Sequence, residues 1–321
     1  MLEIFSLIFP LFGLILLGYL SAKITGQSLE ALGWLNTFII YRALPALFFR
    51  ILSKTPIEQL ASWEFIVTNI AVTFLVFLFV FSIGFFTTQR NIADSTIQGL
   101  AGAYGNIGYM GPALAILALG EKAAIPVALI FCFENVMHFS IAPCLMAISG
   151  KRSKETHRLF VQVIKSILLH PFIIATIFGV LAAYFQLSLP QSLSQLMDYL
   201  AQSAAPCALF AMGVTLALRP LNRIPGSLSY VVPTKLILHP LAMYLALSLV
   251  GDFDPLWVFS AVLLASLPTA TNVFVLAQQY QCWVERASAS VLISTVISVL
   301  TVSLLLYLIS HGLLPEDYFP G

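Results

Sequence analysis

The sequence predicts an all-α polytopic membrane protein: ten transmembrane helices in two inverted five-helix repeats, with helices 4 and 9 broken and crossing. Three observations lead there. Apolar residues fill 60% of the 321 positions and charged residues only 9%, with a mean hydropathy of +0.96. The apolar stretches come in the lengths of about 20 residues that a bilayer core about 30 Å thick requires. The two halves also repeat a pattern of proline and glycine at one fixed offset. Soluble proteins are about 25% charged, so this composition excludes a soluble enzyme, a disordered chain and a nucleic-acid binder. The net charge of +1 says nothing about partners.

In chain order the predicted spans are Phe5–Ala22, Ala31–Ile51, Trp63–Thr88, Ser95–Leu119, Ala123–Ser149, Phe160–Gln186, Ser192–Leu218, Leu228–Val250, Leu256–Tyr280 and Trp283–Ser310. Proline, glycine and charged residues fill the gaps, and no gap is long enough for a soluble domain. The first span is led by Glu3 without Lys or Arg, which argues against a cleaved signal peptide. Trp34, Trp63, Trp257 and Trp283 sit at or near span starts, as an interfacial belt would place them.

Positive charge sets the orientation. With both termini outside, the inner loops and span ends collect Lys23, Arg90, Lys151, Arg152, Lys154, Arg158, Lys165, Arg219, Arg223 and Arg286. The outer side keeps Arg50, Lys54 and Lys122. That asymmetry is a strong positive-inside bias. The basic inner loop is expected to face anionic lipid headgroups. Cys132, Cys144, Cys207 and Cys282 lie in or beside apolar runs without CxxC spacing, so neither disulfides nor a metal site is expected.

A shift of 161 residues aligns Pro10 with Pro171, Gly18 with Gly179, Ala43 with Ala204, Pro45 with Pro206 and Phe49 with Phe210. The repeats would be residues 1–150 (spans one to five) and 151–321 (spans six to ten). Five is odd, so the second copy enters the membrane from the opposite side. That architecture belongs to alternating-access carriers, whose substrate sits near the midplane where the repeats meet.

Spans four and nine are interrupted at corresponding places. One reads Ala103-Tyr-Gly-Asn-Ile-Gly-Tyr-Met-Gly-Pro112, the other Ser266-Leu-Pro-Thr-Ala-Thr-Asn272. In a helix interior Gly costs about 1 kcal/mol and Pro about 3 relative to Ala. Unwound backbone at membrane depth is tolerated only where protein or a water-filled cavity satisfies it. Half-helices starting near Pro112 and Thr269 would aim N–H groups at the gap, an anion seat, while the facing carbonyl ends suit a cation. Asn106 and Asn272 can donate and accept there. The candidate substrate residues are therefore Asn106, Gly108, Pro112, Pro268, Thr269, Asn272 and Lys235.

Ionisable groups at membrane depth are functional candidates by default. Glu134, Asn135 and His138 lie in span five, and the i, i+4 spacing puts Glu134 and His138 on one face. They would relay a proton or hold a cation, or else lock span five to the broken span four. Lys235 and His239 repeat the spacing in span eight. Lys235 would serve as a substrate counter-ion, pair with Glu134, or snorkel to the inner face. Arg42 would meet an anion or, preferably, pair with Asp198 of span seven. The coupling candidates are Glu134, Asn135, His138 and His239, with H⁺ or Na⁺ as the ion and no other cofactor.

Gly105-Asn-Ile-Gly-Tyr-Met-Gly-Pro-Ala113, Leu267-Pro-Thr-Ala-Thr-Asn272 and Val275-Leu-Ala-Gln278 resemble the bacterial branch of the auxin efflux carrier family. Leu44-Pro-Ala-Leu47 and Lys235-Leu-Ile-Leu-His-Pro240 strengthen the likeness, which covers the whole chain. The resemblance implies the fold shared with bile-acid sodium symporters and sodium/proton antiporters. Spans 1, 2, 6 and 7 would be the scaffold, and spans 3–5 and 8–10 the moving core. It also implies a small organic anion, such as a mono- or dicarboxylate, exported across the plasma or inner membrane by an elevator motion. A homodimer through the scaffold is a further implication. Plant members place an acid–base pair on the third span, whereas Phe65–Phe86 here has no ionisable side chain. HExxH, GxSxG, Walker and dinucleotide motifs are all missing from the sequence, so an enzyme is not expected. With no ATP site, the driving force would be an ion gradient or the substrate's own. The rival expectations are a cation-coupled symporter or ion antiporter, and a ligand-binding membrane sensor without transport.

Overall fold

The computed structural model describes residues 2–56, 62–150, 169, 171–218, 225–315 and 318. Among these residues the chain is helical, with one isolated β-bridge. The helices are α1 (Leu2–Thr25), α2 (Glu30–Leu52), α3 (Trp63–Thr87), α4 (Ile92–Ala103), α5 (Gly111–Leu119) and α6 (Ala124–Ile148), followed by α7 (Pro171–Tyr184), α8 (Gln191–Leu218), α9 (Leu228–Val250), α10 (Pro255–Ala265), α11 (Thr271–Tyr280) and α12 (Val284–Ser310). Among the described residues, six stretches are long and apolar enough to cross a membrane: α2, α3, Glu121–Ile148 containing α6, α8, α9 and α12. The expected span four is divided into α4 and α5, and span nine into α10 and α11. The basic loop 151–158, the 160–168 part of span six, Lys165, Arg219 and Arg223 lie outside the described residues.

Two helices carry a π turn, each with a local cause. In α9 the turn spans Thr234–Leu238, where the His239 N–H bonds the Thr234 carbonyl five residues back. Pro240 follows, and its ring lacks an N–H and crowds the carbonyl four residues earlier, so the ladder loosens there. In α2 the turn spans Ile39–Ala43, where the Leu44 N–H reaches the Ile39 carbonyl and Pro45 follows. Such turns add a residue to the helix and rotate every later side chain to another face.

The chain forms two compact units. The first comprises Met1–Trp63, Gly108–Cys132 and Leu168–Arg219, and the second Glu64–Ile107, Phe133–Ile167 and Pro220–Gly321. In the first unit α1 lies along α8 and α7 along α2. Glycine permits both approaches. A Cβ at Gly18 would fall on the Phe210 carbonyl oxygen, and one at Gly213 on that of Ile15. At Gly179 a Cβ would meet the Leu52 side chain at 2.9 Å and the Phe49 backbone at 3.3 Å. Without a hydrophobic force between helices in lipid, close backbone packing of this kind drives association. The contacts are reciprocal: Gly18 sits on Phe210, while Gly179, 161 residues after Gly18, sits on Phe49, 161 residues before Phe210.

The expected Arg42–Asp198 pair does not form. Asp198 accepts from Arg50 at 2.7 Å, and the Arg42 guanidinium donates to the Tyr41 carbonyl at 2.9 Å. Arg42 lies inside the π turn of α2, which points it outward, whereas Arg50 lies beyond that turn on the face toward α8.

Gly213→Ala is expected to lower stability by about 1–3 kcal/mol, the range for overpacking, because the clash is with fixed backbone. A thermal melt in detergent reads this as a lower midpoint.

Candidate functional site

Within the second unit the two interrupted segments satisfy one another. The Asn106 N–H donates to the Pro268 carbonyl at 2.8 Å, and the Ala270 N–H donates to the Tyr104 carbonyl at 2.9 Å. Gly105 and Thr269 face each other as an antiparallel bridge. Thr269 is fully buried and anchors the pair twice more: its hydroxyl donates to the Ala101 carbonyl at the end of α4 (2.7 Å), and its N–H donates to the Ser294 hydroxyl of α12 (3.0 Å). A Cβ at Gly105 would lie 3.1 Å from the Leu264 carbonyl oxygen and 3.3 Å from Lys235 Nζ, so glycine allows this close approach.

Two buried polar chains surround the bridge. In the first, the Asn272 amide donates to the Tyr104 hydroxyl at 2.9 Å, and that hydroxyl donates to Asn135 Oδ1. The Tyr104 ring stacks on His138, with centroids 4.2 Å apart. In the second, the Thr73 hydroxyl donates to Glu134 Oε1 at 2.9 Å and lies 3.2 Å from His239 Nε2. His239 Nδ1 is 3.1 Å from Lys235 Nζ, which also donates to the Ala265 carbonyl at the end of α10. Glu134 is 4% exposed, Thr73 and Lys235 are 0%, and His239 is 1%.

Lys235 does not snorkel: it lies in the π turn of α9, fully buried, at the carbonyl end of a helix where a cation is stabilised. Glu134 and His138 share a helix, but no hydrogen bond joins them. Glu134 bonds Thr73, while both His138 ring nitrogens have no partner among the described residues. Gly108 and Pro112 belong to the first unit. Gly108 packs at 3.0 Å from the Phe131 ring, where a Cβ would sit, and Pro112 is buried in the first turn of α5. Pro112 also lines a cavity of about 400 Å³ in that unit, whose charged lining is Arg50, Lys54, Glu121 and Lys122.

Sequence reasoning missed Thr73 and Tyr104. Tyr104 lies inside the quoted break, and its hydroxyl between two amides is the hub of the first chain. Thr73 had a fainter signal: with Asn69 it makes a polar i, i+4 pair on an otherwise apolar helix, and both are buried.

Residues 3–306 match the family described as membrane transport protein. The chain is 59% identical, over 320 residues and all of both chains, to a Rhizobium meliloti (strain 1021) protein provisionally named a malonate transporter. It is 24% identical over 305 residues to the uncharacterized transporter YfdV of Escherichia coli (strain K12), covering 93% of this chain and 95% of that one. An uncharacterized transporter of Methanothermobacter thermautotrophicus is 25% identical over 295 residues, covering 91% and 93%.

Tyr104→Phe removes one donor and one acceptor from a buried chain. The expected loss is about 1–3 kcal/mol, read from chemical or thermal unfolding in detergent, with Asn272→Ala in the Tyr104→Phe background adding less than it does alone.

Proposed function

Since the chain belongs to the membrane transport protein family, the auxin efflux carriers that its motifs resemble, we propose that it is a secondary transporter of a small dicarboxylate of the malonate class. It is a multi-pass membrane protein and not an enzyme. The proposed mechanism is elevator-type alternating access, with the anion held at the crossover of spans four and nine. The observation that carries this reading is the pairing of the two breaks, which gathers Asn106, Pro268, Thr269, Asn272 and Lys235 around one stretch of unwound backbone. Asn272 stands in the first turn of α11, where a carboxylate would gain amide donors and the positive helix end together.

The inverted ten-span repeat is supported by the reciprocal packing of Gly18 on Phe210 and Gly179 on Phe49. A scaffold of spans 1, 2, 6 and 7 is supported by α1, α2, α7 and α8 falling in one unit, which also takes in α5 and the start of α6. With both termini outside, Lys54 and Lys122 outnumber Glu121 in the charged lining of a cavity whose Arg50 is paired with Asp198, a modest positive excess that suits an anionic cargo. Export and a scaffold-mediated homodimer are the directions the family likeness favours. A cation-coupled symporter or proton antiporter is the second reading, favoured by the buried Glu134–Lys235 chain.

A thermal-shift screen of mono- and dicarboxylates, with and without sodium and at two pH values, tests the assignment. At about 100 times its dissociation constant, a ligand adds about 2.7 kcal/mol, a shift of several degrees. Malonate is expected to give it in the wild type and to give none in Asn106→Ala, which still folds. A full malonate shift in Asn106→Ala moves the site elsewhere.

A further inference from the structure

The second unit contains a hydrogen-bonded path that the binding of an anion does not require. It runs Lys235 Nζ, His239 Nδ1, His239 Nε2, Thr73 Oγ1, Glu134 Oε1, with steps of 3.1, 3.2 and 2.9 Å. With Glu134 ionised and His239 neutral, elimination fixes the bond directions. A carboxylate only accepts, so the single Thr73 hydroxyl proton points at Glu134, and Thr73 Oγ1 must accept from His239 Nε2–H. Nδ1 then carries the lone pair and accepts from Lys235. Every bond therefore points from the lysine toward the glutamate.

We propose that this path is a proton relay, with Thr73 the positioning residue that joins the imidazole to the carboxylate. The relay step balances within the chain. An N–H bond of Lys235 breaks as Nδ1–H forms on His239; Nε2–H breaks as a new O–H forms on Thr73; and the old Thr73 proton passes to Glu134. Lys235 becomes an amine, His239 changes tautomer, Thr73 turns its hydroxyl round and Glu134 becomes an acid. One internal ion pair becomes two neutral groups, with no charge left over.

Position gives the relay its function. Lys235 Nζ lies 3.3 Å from where a Gly105 Cβ would be, so the donor end adjoins the bridged backbone at which the anion is proposed to bind. It also fills the carbonyl end of α10, the seat that would otherwise suit a metal cation. An arriving dianion would hold Lys235 in its ammonium form; its departure would let that proton run to Glu134. The cycle closes when Glu134 releases that proton to water and Lys235 takes up another; the proton is then the coupling ion and sodium is dispensable. The other titratable groups of the buried cluster are Tyr104 and His138, stacked on each other, and neither lies on the path. Asn69, one turn before Thr73, contacts the Met243 sulfur and carries no proton for the relay.

This inference rests on the transport reading for its coupling to flux, and the test separates the two. Wild type, Thr73→Val and Thr73→Ser are reconstituted in liposomes carrying a lumenal pH dye, and both malonate exchange and malonate-linked pH change are followed. Thr73→Val is nearly isosteric, so malonate-for-malonate exchange is expected to persist, while the linked pH change falls at least about tenfold. Thr73→Ser restores it, and replacing sodium with potassium changes neither signal. A wild type that moves malonate without protons, or a Thr73→Val protein with a wild-type pH change, overturns the relay and leaves the transport reading standing. If no protein moves malonate, the transport reading fails, and the relay is read from infrared spectra of the substrate-free protein. A broad continuum from a polarised hydrogen-bond chain is then expected in wild type and Thr73→Ser and absent in Thr73→Val. Its persistence in Thr73→Val overturns the relay.

Discussion

Backbone amides that leave a helix in a low-dielectric interior must find partners, and each one left unpaired costs several kcal/mol. Here two interrupted segments meet that demand with each other's groups, Asn106 with Pro268 and Ala270 with Tyr104. Local bonds, such as that from the Ile107 N–H to the Gly105 carbonyl, serve part of each break, and the cross-links join the two. The remaining contacts follow from holding this pair in place. Thr269 ties it to the end of α4 and to the interior of α12, Gly105 lets it approach α10 and Lys235, and Tyr104 turns its ring toward α6.

The scarcity of charge shapes the rest. With 9% charged residues, few remain for the interior. Lys235 is stabilised there by a helix carbonyl end and an imidazole, and Glu134 by a hydroxyl. A buried ion pair is tolerated when further hydrogen bonds fill its remaining valences, and these two are joined through neutral groups. That arrangement leaves the charges able to cancel by moving a proton, at small structural cost. Elsewhere the protein relies on dipoles and amides, which is the economical way to receive an anion in a medium poor in water.

Much of the fold was legible because hydropathy and proline are local signals. The spans fell where apolar runs fell, and both breaks were marked by Gly105, Gly108, Pro112 and Pro268. The glycine and phenylalanine matches at an offset of 161 were visible in the sequence, but not that Gly18 would meet Phe210 and Gly179 meet Phe49. Side-chain placement at the π turns was the main loss. Arg42 was expected at Asp198 and Lys235 was left free to snorkel, yet each lies in a π turn, Arg42 exposed and Lys235 buried. The polar chains were half legible: Glu134, His138, Lys235 and His239 stood out as ionisable residues at depth, whereas Thr73 and Tyr104 are ordinary residues made important by what they join. Glu134 and His138 show the converse, with correct spacing and no bond between them.

The central claim is that the paired breaks bind an anion and carry it across, and the most direct measurement is counterflow of labelled malonate. Purified protein is placed in liposomes loaded with unlabelled malonate, diluted into a trace of labelled malonate, and uptake is followed with time. The account predicts a transient accumulation of label above equilibrium that disappears in Asn106→Ala. Malonate-dependent thermal stabilisation without any counterflow would contradict it, and would make the crossover a receptor site in place of a translocation pathway.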